Sequence, residues 1–380
     1  MKALLLIPLL ASLLSAAEKP NIVLIMVDDM GYSDLRCWGG EVETPNIDLL
    51  AENGLRFSQF YNSARCCPTR ATLLTGLHPH ETGIGLMTSE AAPAADGTPE
   101  AYSGNLNDSC VTLAQVAKSA GYATFMTGKW HLAGQEQEDW PLQRGFDRFY
   151  GTLAGASHFF HPEGWRSIYS GDEKISDPKS TTDRAFYTTD AFTDHAIDYI
   201  AENRKAGDKP FFLYLAYTAP HWPLHVADQE LDKYRGKYDM GWDELREQRF
   251  KAQLASGLIP ASWKMSPRDP DVPAWDTLTK KEQDESALLM SAYAGMIDRM
   301  DQKLGDLIAE LKENGEFDNT LILFLSDNGA CAEGAMLGNG DPVAARAKGT
   351  NTSFSPALGK AWANASATPY RLYKHYAHEG

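Results

Sequence analysis

The run Asn21-Ile22-Val23-Leu24-Ile25-Met26-Val27 constrains the fold more than any other stretch of this chain. After the opening asparagine it is continuously apolar and largely β-branched, without polar alternation. A strand of that kind is buried on both faces, as in a parallel or mixed sheet covered by helices on each side. Pro210 to Tyr217 and Thr320 to Leu325 repeat the pattern, and Tyr122 to Thr127 is a further strand. Helical patterns lie between them. One opens at Thr44-Pro45 and closes at Asn53-Gly54, a second spans Thr112 to Ala120, a third carries Phe192, Ala196, Tyr199 and Ile200, and a fourth runs from Leu288 to Leu311. The predicted class is α/β, with a large, mainly parallel sheet sandwiched between helices in one domain. Leu55 to Tyr61 also reads as a strand. Tyr234 to Leu278 reads as an irregular excursion at the mouth of a site, containing one helix from Trp242 to Ala255.

The strands end in residues able to do chemistry: Asp28-Asp29, Gly128-Lys129-Trp130-His131, Pro220-His221-Trp222-Pro223-Leu224-His225 and Ser326-Asp327-Asn328-Gly329. Open α/β sheets bind ligands beyond the carboxyl ends of their strands. Adjacent carboxylates at the end of a buried strand are costly unless a cation sits between them, although a pair alone can be a solvated turn. Asp28, Asp29, Asp327 and Asn328 together offer only oxygen, which favours Ca²⁺, with Mg²⁺ second, over zinc. If the chain stays extended, Lys129 and His131 point the same way. By itself a Lys-x-His pair is commonly surface decoration, and His225 reads as a packing residue.

Cys66-Cys67-Pro68-Thr69-Arg70 begins another helix, with Leu73 and Leu74 burying its far side. Pro68 suits the first turn, where its missing N–H has no partner. The unpaired N–H groups and the dipole of such a terminus favour negative charge on whatever Cys66 carries or binds. Arg70 lies one turn along the same face, so its fork can reach that charge. A lone Cys-x-Pro would read simply as a buried thiol beside a helix-opening proline.

Cys66 to Gly76 resembles the first signature of the sulfatases, Cys-x-Pro-x-Arg-x-x-x-Leu-Thr-Gly, in which the cysteine is oxidised to formylglycine (3-oxoalanine). The spacing selects Cys66 over Cys67. Arg65 departs from the small or apolar residue frequent before that cysteine. Gly121-Tyr122-x-Thr124-x-x-x-Gly128-Lys129-Trp130-His131 resembles the second signature, and Arg371-Leu372-Tyr373-Lys374 leading to Glu379-Gly380 resembles a late segment whose lysine contacts the sulfate. The resemblance runs from Lys19 to the last residue and looks nearest to the arylsulfatase group.

That resemblance implies an alkaline-phosphatase-like fold and one Ca²⁺ held by Asp28, Asp29, Asp327, Asn328 and modified Cys66. The catalytic residues it implies are Cys66, Arg70, Lys129, His131, His221 and Lys374. The hydrated aldehyde would attack sulfur, and His221 would protonate the leaving oxygen while Lys129 and Lys374 hold the sulfate. His131 would then take a proton from the second hydroxyl and expel sulfate. The substrate would be a small-molecule or glycan sulfate ester, and a formylglycine-generating or equivalent sulfatase-maturing enzyme would act on the chain during biosynthesis. Formylglycine-dependent phosphonate monoester or phosphodiester hydrolases share the signature. An inactive glycan-binding remnant is a further alternative.

Met1 and Lys2 precede an apolar run from Ala3 to Leu14 and then Ser15-Ala16-Ala17, the pattern of a signal peptide over residues 1–17. Residues 18–380 then read as the catalytic domain, exported to the periplasm or secreted, with no membrane span. The small C-terminal antiparallel domain of the family has no counterpart, and the chain reads as an incomplete copy with Lys374 near a fraying end. A net charge of −16 disfavours nucleic acid as partner and requires any anion site to gather its cations locally. The five cysteines are too few for a disulfide scaffold, and the pairing of Cys37, Cys67, Cys110 and Cys331 is open.

Overall fold

The computed structural model describes residues 19–88, 97–134, 136–180, 184–346 and 355–378. The expected leader over 1–17 and the Glu379-Gly380 pair lie outside the described residues. Among those described, no helix is long and apolar enough to cross a membrane.

Among the described residues seven strands form one mixed sheet: β1 (Asn21–Val27), β2 (Ala123–Lys129), β3 (Arg148–Thr152), β4 (Ile168–Ser170), β5 (Glu173–Ile175), β6 (Phe211–Ala216) and β7 (Thr320–Ser326). Their order is β5-β4-β3-β2-β6-β1-β7, parallel from β3 to β7, with β4 and β5 antiparallel at one edge. The helices are α1 (Pro45–Asn53), α2 (Cys66–Thr75), α3 (Pro79–Thr82), α4 (Leu113–Ser119), α5 (Thr188–Lys205), α6 (Asp228–Tyr234), α7 (Gly241–Ala255), α8 (Lys280–Glu313) and α9 (Gly359–Ser366).

The apolar run of β1 divides between two cores, as burial on both faces requires. Val23, Ile25 and Val27 join Leu213 and Leu215 of β6 against residues of α5 to α9. Leu24 and Met26 face the other way with Phe212 and Tyr214, against Ala71 and Leu74 of α2 and Ala114 of α4. Helix α8 begins eight residues before the predicted start, because Thr279 and Glu282 close a capping box ahead of the apolar face.

Two expectations are corrected. Leu55 to Tyr61 forms no strand. Leu55 is 85% exposed and Tyr61 72%, so the apolar residues that suggested a strand have no covering layer. For the same reason β7 is an edge strand and not a buried one, with Leu321 51% exposed. The Tyr234 to Leu278 excursion contains α7 and packs against the segment leading to Lys374, Ser266 N–H donating to the Pro369 carbonyl at 3.0 Å. Trp242, Trp275 and Trp362 pack edge to face or tilted within 5.7 Å, and buried Arg249 pairs with Asp34 and Glu41.

Candidate active site

Strand register decides which residues meet. Val27 of β1 pairs with Ser326 of β7, and Asp327 N–H donates to the Val27 carbonyl at 3.0 Å, so Asp28 and Asp327 leave the sheet side by side. Met26 of β1 and Gly128 of β2 both pair with Ala216 of β6, which brings Lys129 to the same edge. Asp29 turns the chain there with a φ of 63°, a conformation aspartate tolerates. At Gly128, φ is 105° and a Cβ would lie 1.9 Å from the Ala216 carbonyl oxygen, so only glycine fits.

Each carboxylate has a cationic partner. Arg70 is fully buried and donates through Nη2 (2.7 Å) and Nε (3.1 Å) to Asp327, while Nη1 reaches the Lys129 carbonyl at 3.1 Å and the Tyr214 hydroxyl at 3.4 Å. Lys129 pairs with Asp28, and Lys374 lies 3.0 Å from Asp29. Lys374, expected near a fraying end, is buried, its N–H donating to Ala330. Burial works against both ammonium groups, but Asp28 and Asp29 outweigh it and raise Lys129 and Lys374 above the ordinary lysine range. Asp327 is pushed up to about 6 by burial and by Asp28, with Arg70 opposing.

Cys66 opens α2 beneath this network. Its Sγ, that of Cys67 and a ring nitrogen of His131 lie within 4.8 Å of one another. A hydrogen bond from Cys67 holds the Cys66 thiol well below its ordinary range despite burial, with help from Lys129 and His131. The Cys67 thiol is pushed well up, first by burial and then by Cys66. The two adjacent sulfurs are therefore pushed in opposite directions, with Cys67 the donor to Cys66. Lys129 and His131 reach one site, though not by strand alternation. The strand ends at Lys129, and His131 has a φ of 55°.

His221 places Nε2 3.4 Å from Asp29, and the Trp222 carbonyl accepts from Nδ1 at 2.6 Å, which fixes Nε2 as the nitrogen facing the carboxylates. His225 is absent from this group. It is buried against His158, Phe159 and Phe160, and burial lowers it to about 2. All five cysteines are free thiols.

The expected metal ligands converge as well. Asn328 donates to Asp29 at 2.6 Å, and Asp29 N–H lies 3.4 Å from Asp327 Oδ1. Asp28 Oδ1 and Asn328 Oδ1 are buried acceptors with no hydrogen-bond partner among the described residues, as oxygens meant for a cation would be. Carboxylate and amide oxygens suit a hard divalent ion, so the residues fit Ca²⁺. A carboxylate oxygen from each of Asp28 and Asp29 also lies within 4.8 Å of a His221 nitrogen, but calcium's preference for oxygen favours Asp327 and Asn328 as the further donors.

Tyr214, Met87 and Glu333 were not singled out from the sequence. Tyr214 lies inside an apolar strand and meets Arg70 only through the register of β6. Met87 packs its sulfur 3.5 Å from Cys67 and 3.8 Å from Cys66. Glu333 accepts from Trp222 Nε1 at 2.8 Å and stands 3.7 Å from Lys374. Its nearness to Asp327-Asn328 in sequence was the one available signal.

The sulfatase family model matches residues 20–378. The chain is 37% identical to an uncharacterized sulfatase of Schizosaccharomyces pombe, over 96% of this chain and 69% of that protein. It is 34% identical to an arylsulfatase of Klebsiella aerogenes, over 94% of this chain and 77% of that one. The crystal structure of Ps i-CgsB in complex with k-i-k-neocarrahexaose is similar at 27% identity with a TM-score of 0.60, covering 82% of this chain and 59% of that one.

Proposed function

Because the chain belongs to the sulfatase family, we propose that it hydrolyses aryl or carbohydrate sulfate esters to the alcohol and inorganic sulfate. One observation carries this reading: a protein of net charge −16 gathers Arg70, Lys129 and Lys374, with His131 and His221, around the residue that opens α2. Such a cluster suits a multiply charged oxyanion whose bridging oxygen must be protonated as it leaves.

In this proposal Cys66 is oxidised to formylglycine by a maturing enzyme, and the aldehyde adds water to form a geminal diol; one hydroxyl attacks sulfur and displaces the alcohol, and loss of the second hydroxyl's proton re-forms the aldehyde and expels sulfate. Asp28, Asp29, Asp327, Asn328 and modified residue 66 would hold one Ca²⁺, and an ion held there would supply Lewis-acid polarisation of sulfate oxygens. Lys129 and Lys374 stay charged and hold those oxygens. Arg70, fixed by Asp327 and the Lys129 carbonyl, keeps the nucleophile anionic and aimed. His221 presents Nε2 as the donor to the departing alcohol oxygen, and His131, beside residue 66, takes the proton whose loss expels sulfate. Residues 18–380 form the catalytic domain on this reading, exported after loss of 1–17.

Expression with a sulfatase-maturing enzyme tests the proposal. Mass spectrometry should find formylglycine at residue 66 and a thiol at Cys67, and the product should turn over an aryl sulfate faster than a phosphodiester. Hydrolysis by a preparation in which Cys66 is wholly thiol would overturn the nucleophile. A preference for the phosphodiester would move the protein to the phosphonate and phosphodiester hydrolases.

A further inference from the structure

We propose that the unmodified chain binds one monovalent copper ion through Cys66, Cys67, Met87 and His131. The ligand atoms of Cys66, Cys67 and His131 already lie within 4.8 Å of one another, and all three residues are buried. The Met87 thioether completes the group at 3.5 Å from the Cys67 sulfur and 3.8 Å from that of Cys66. Two helix-borne sulfurs, a strand-end imidazole and a loop thioether thus face one another beside the oxygen cluster, to which only residue 66 would belong, and only once it is oxidised.

Donor chemistry selects the ion. The group offers no oxygen, which disfavours calcium and magnesium. Zinc takes thiolate and imidazole, but thioether donors turn the preference towards Cu⁺. Charge agrees with this. Cys66 sits in the first turn of a ten-residue helix, whose dipole favours negative charge there. Two thiolates around a monovalent ion leave one net negative charge, which that helix terminus favours.

Ligation involves no change of oxidation state. Cys67 releases its proton to solvent, and copper bonds both sulfurs, the thioether and one imidazole nitrogen. The Thr88 N–H, 3.3 Å from Cys67 Sγ, keeps that sulfur in place. The site exists only while Cys66 is a thiol, so oxidation of that residue destroys it and a bound copper shields Cys66 from oxidation. The inference concerns the precursor and stands whether or not the mature chain cleaves sulfate esters.

The test uses the full chain from a host without a maturing enzyme, with Cys66 shown by mass spectrometry to be a thiol. Anaerobic titration with Cu⁺ against a chromophoric copper chelator should give one equivalent bound, with Cys66 and Cys67 together protected from iodoacetamide. Cys67→Ser and Met87→Leu should each weaken retention on the order of tenfold or more. Met87 is 37% exposed and leucine is close to it in volume, so Met87→Leu should preserve the fold and isolate the thioether. Failure to retain copper against the chelator would overturn the proposal. So would unchanged retention in both variants, or protection by Zn²⁺ at lower concentration than by Cu⁺.

Discussion

Replacing Arg70 by methionine tests the central network most directly. The guanidinium is fully buried and makes two hydrogen bonds to Asp327, one to the Lys129 carbonyl and one to Tyr214. Methionine fills much of the space but leaves the Asp327 carboxylate buried without its guanidinium partner. Breaking a buried ion pair from one side costs about 3–5 kcal/mol, whereas replacing both members with apolar groups is close to neutral. At about 2 °C per kcal/mol for a protein of this size, Arg70→Met should lower the melting temperature by about 6–10 °C. The double variant Arg70→Met with Asp327→Leu should recover more than half of that loss, although both variants lose activity. Thermal unfolding followed by circular dichroism in a chelating buffer, with the two single variants, the double variant and the parent, completes the cycle. If Arg70→Met melts within about 2 °C of the parent, or if the two single losses simply add, the carboxylate is not held by this guanidinium and the network has been misread.

Asp29→Ala removes the carboxylate that joins Asn328, Lys374 and His221, and should abolish high-affinity calcium binding measured by calorimetry; unchanged affinity would refute the ligand set. Gly128→Ala would drive a Cβ into the Ala216 carbonyl and should yield insoluble protein or a melting temperature lowered by at least several degrees. Asp301 caps α1 from α8, accepting from Ile47 N–H at 2.8 Å and Asn46 N–H at 3.2 Å, and burial raises it to about 6. Its folded value lies above its unfolded one, so its contribution favours folding below about pH 4 and is lost as pH rises through 6. Asp301→Asn should therefore flatten the pH dependence of stability between 4 and 6, and an unchanged profile would refute the assignment.

Much of this protein was legible in sequence because it depends on local periodicity and local chemistry. The unbroken apolar run of β1 required a two-faced core, and the helix-opening Pro68 with Arg70 one turn after Cys66 marked an anion-favouring terminus. The polar residues just past four strand ends marked the candidate site, since side chains there cannot join the apolar layers. Tertiary structure decided what depends on neighbours distant in sequence. The register of β1 with β7 set Asp28 beside Asp327, and that of β6 brought Tyr214 to Arg70. Whether an apolar stretch becomes a strand depends on a partner and a covering layer, which Leu55 to Tyr61 lack and the outer face of β7 lacks in part. Pairwise choices among like groups were likewise beyond the sequence. Adjacent cysteines are chemically identical until the fold buries both, makes Cys67 a hydrogen-bond donor to Cys66, and sets an ammonium and an imidazole beside the Cys66 sulfur.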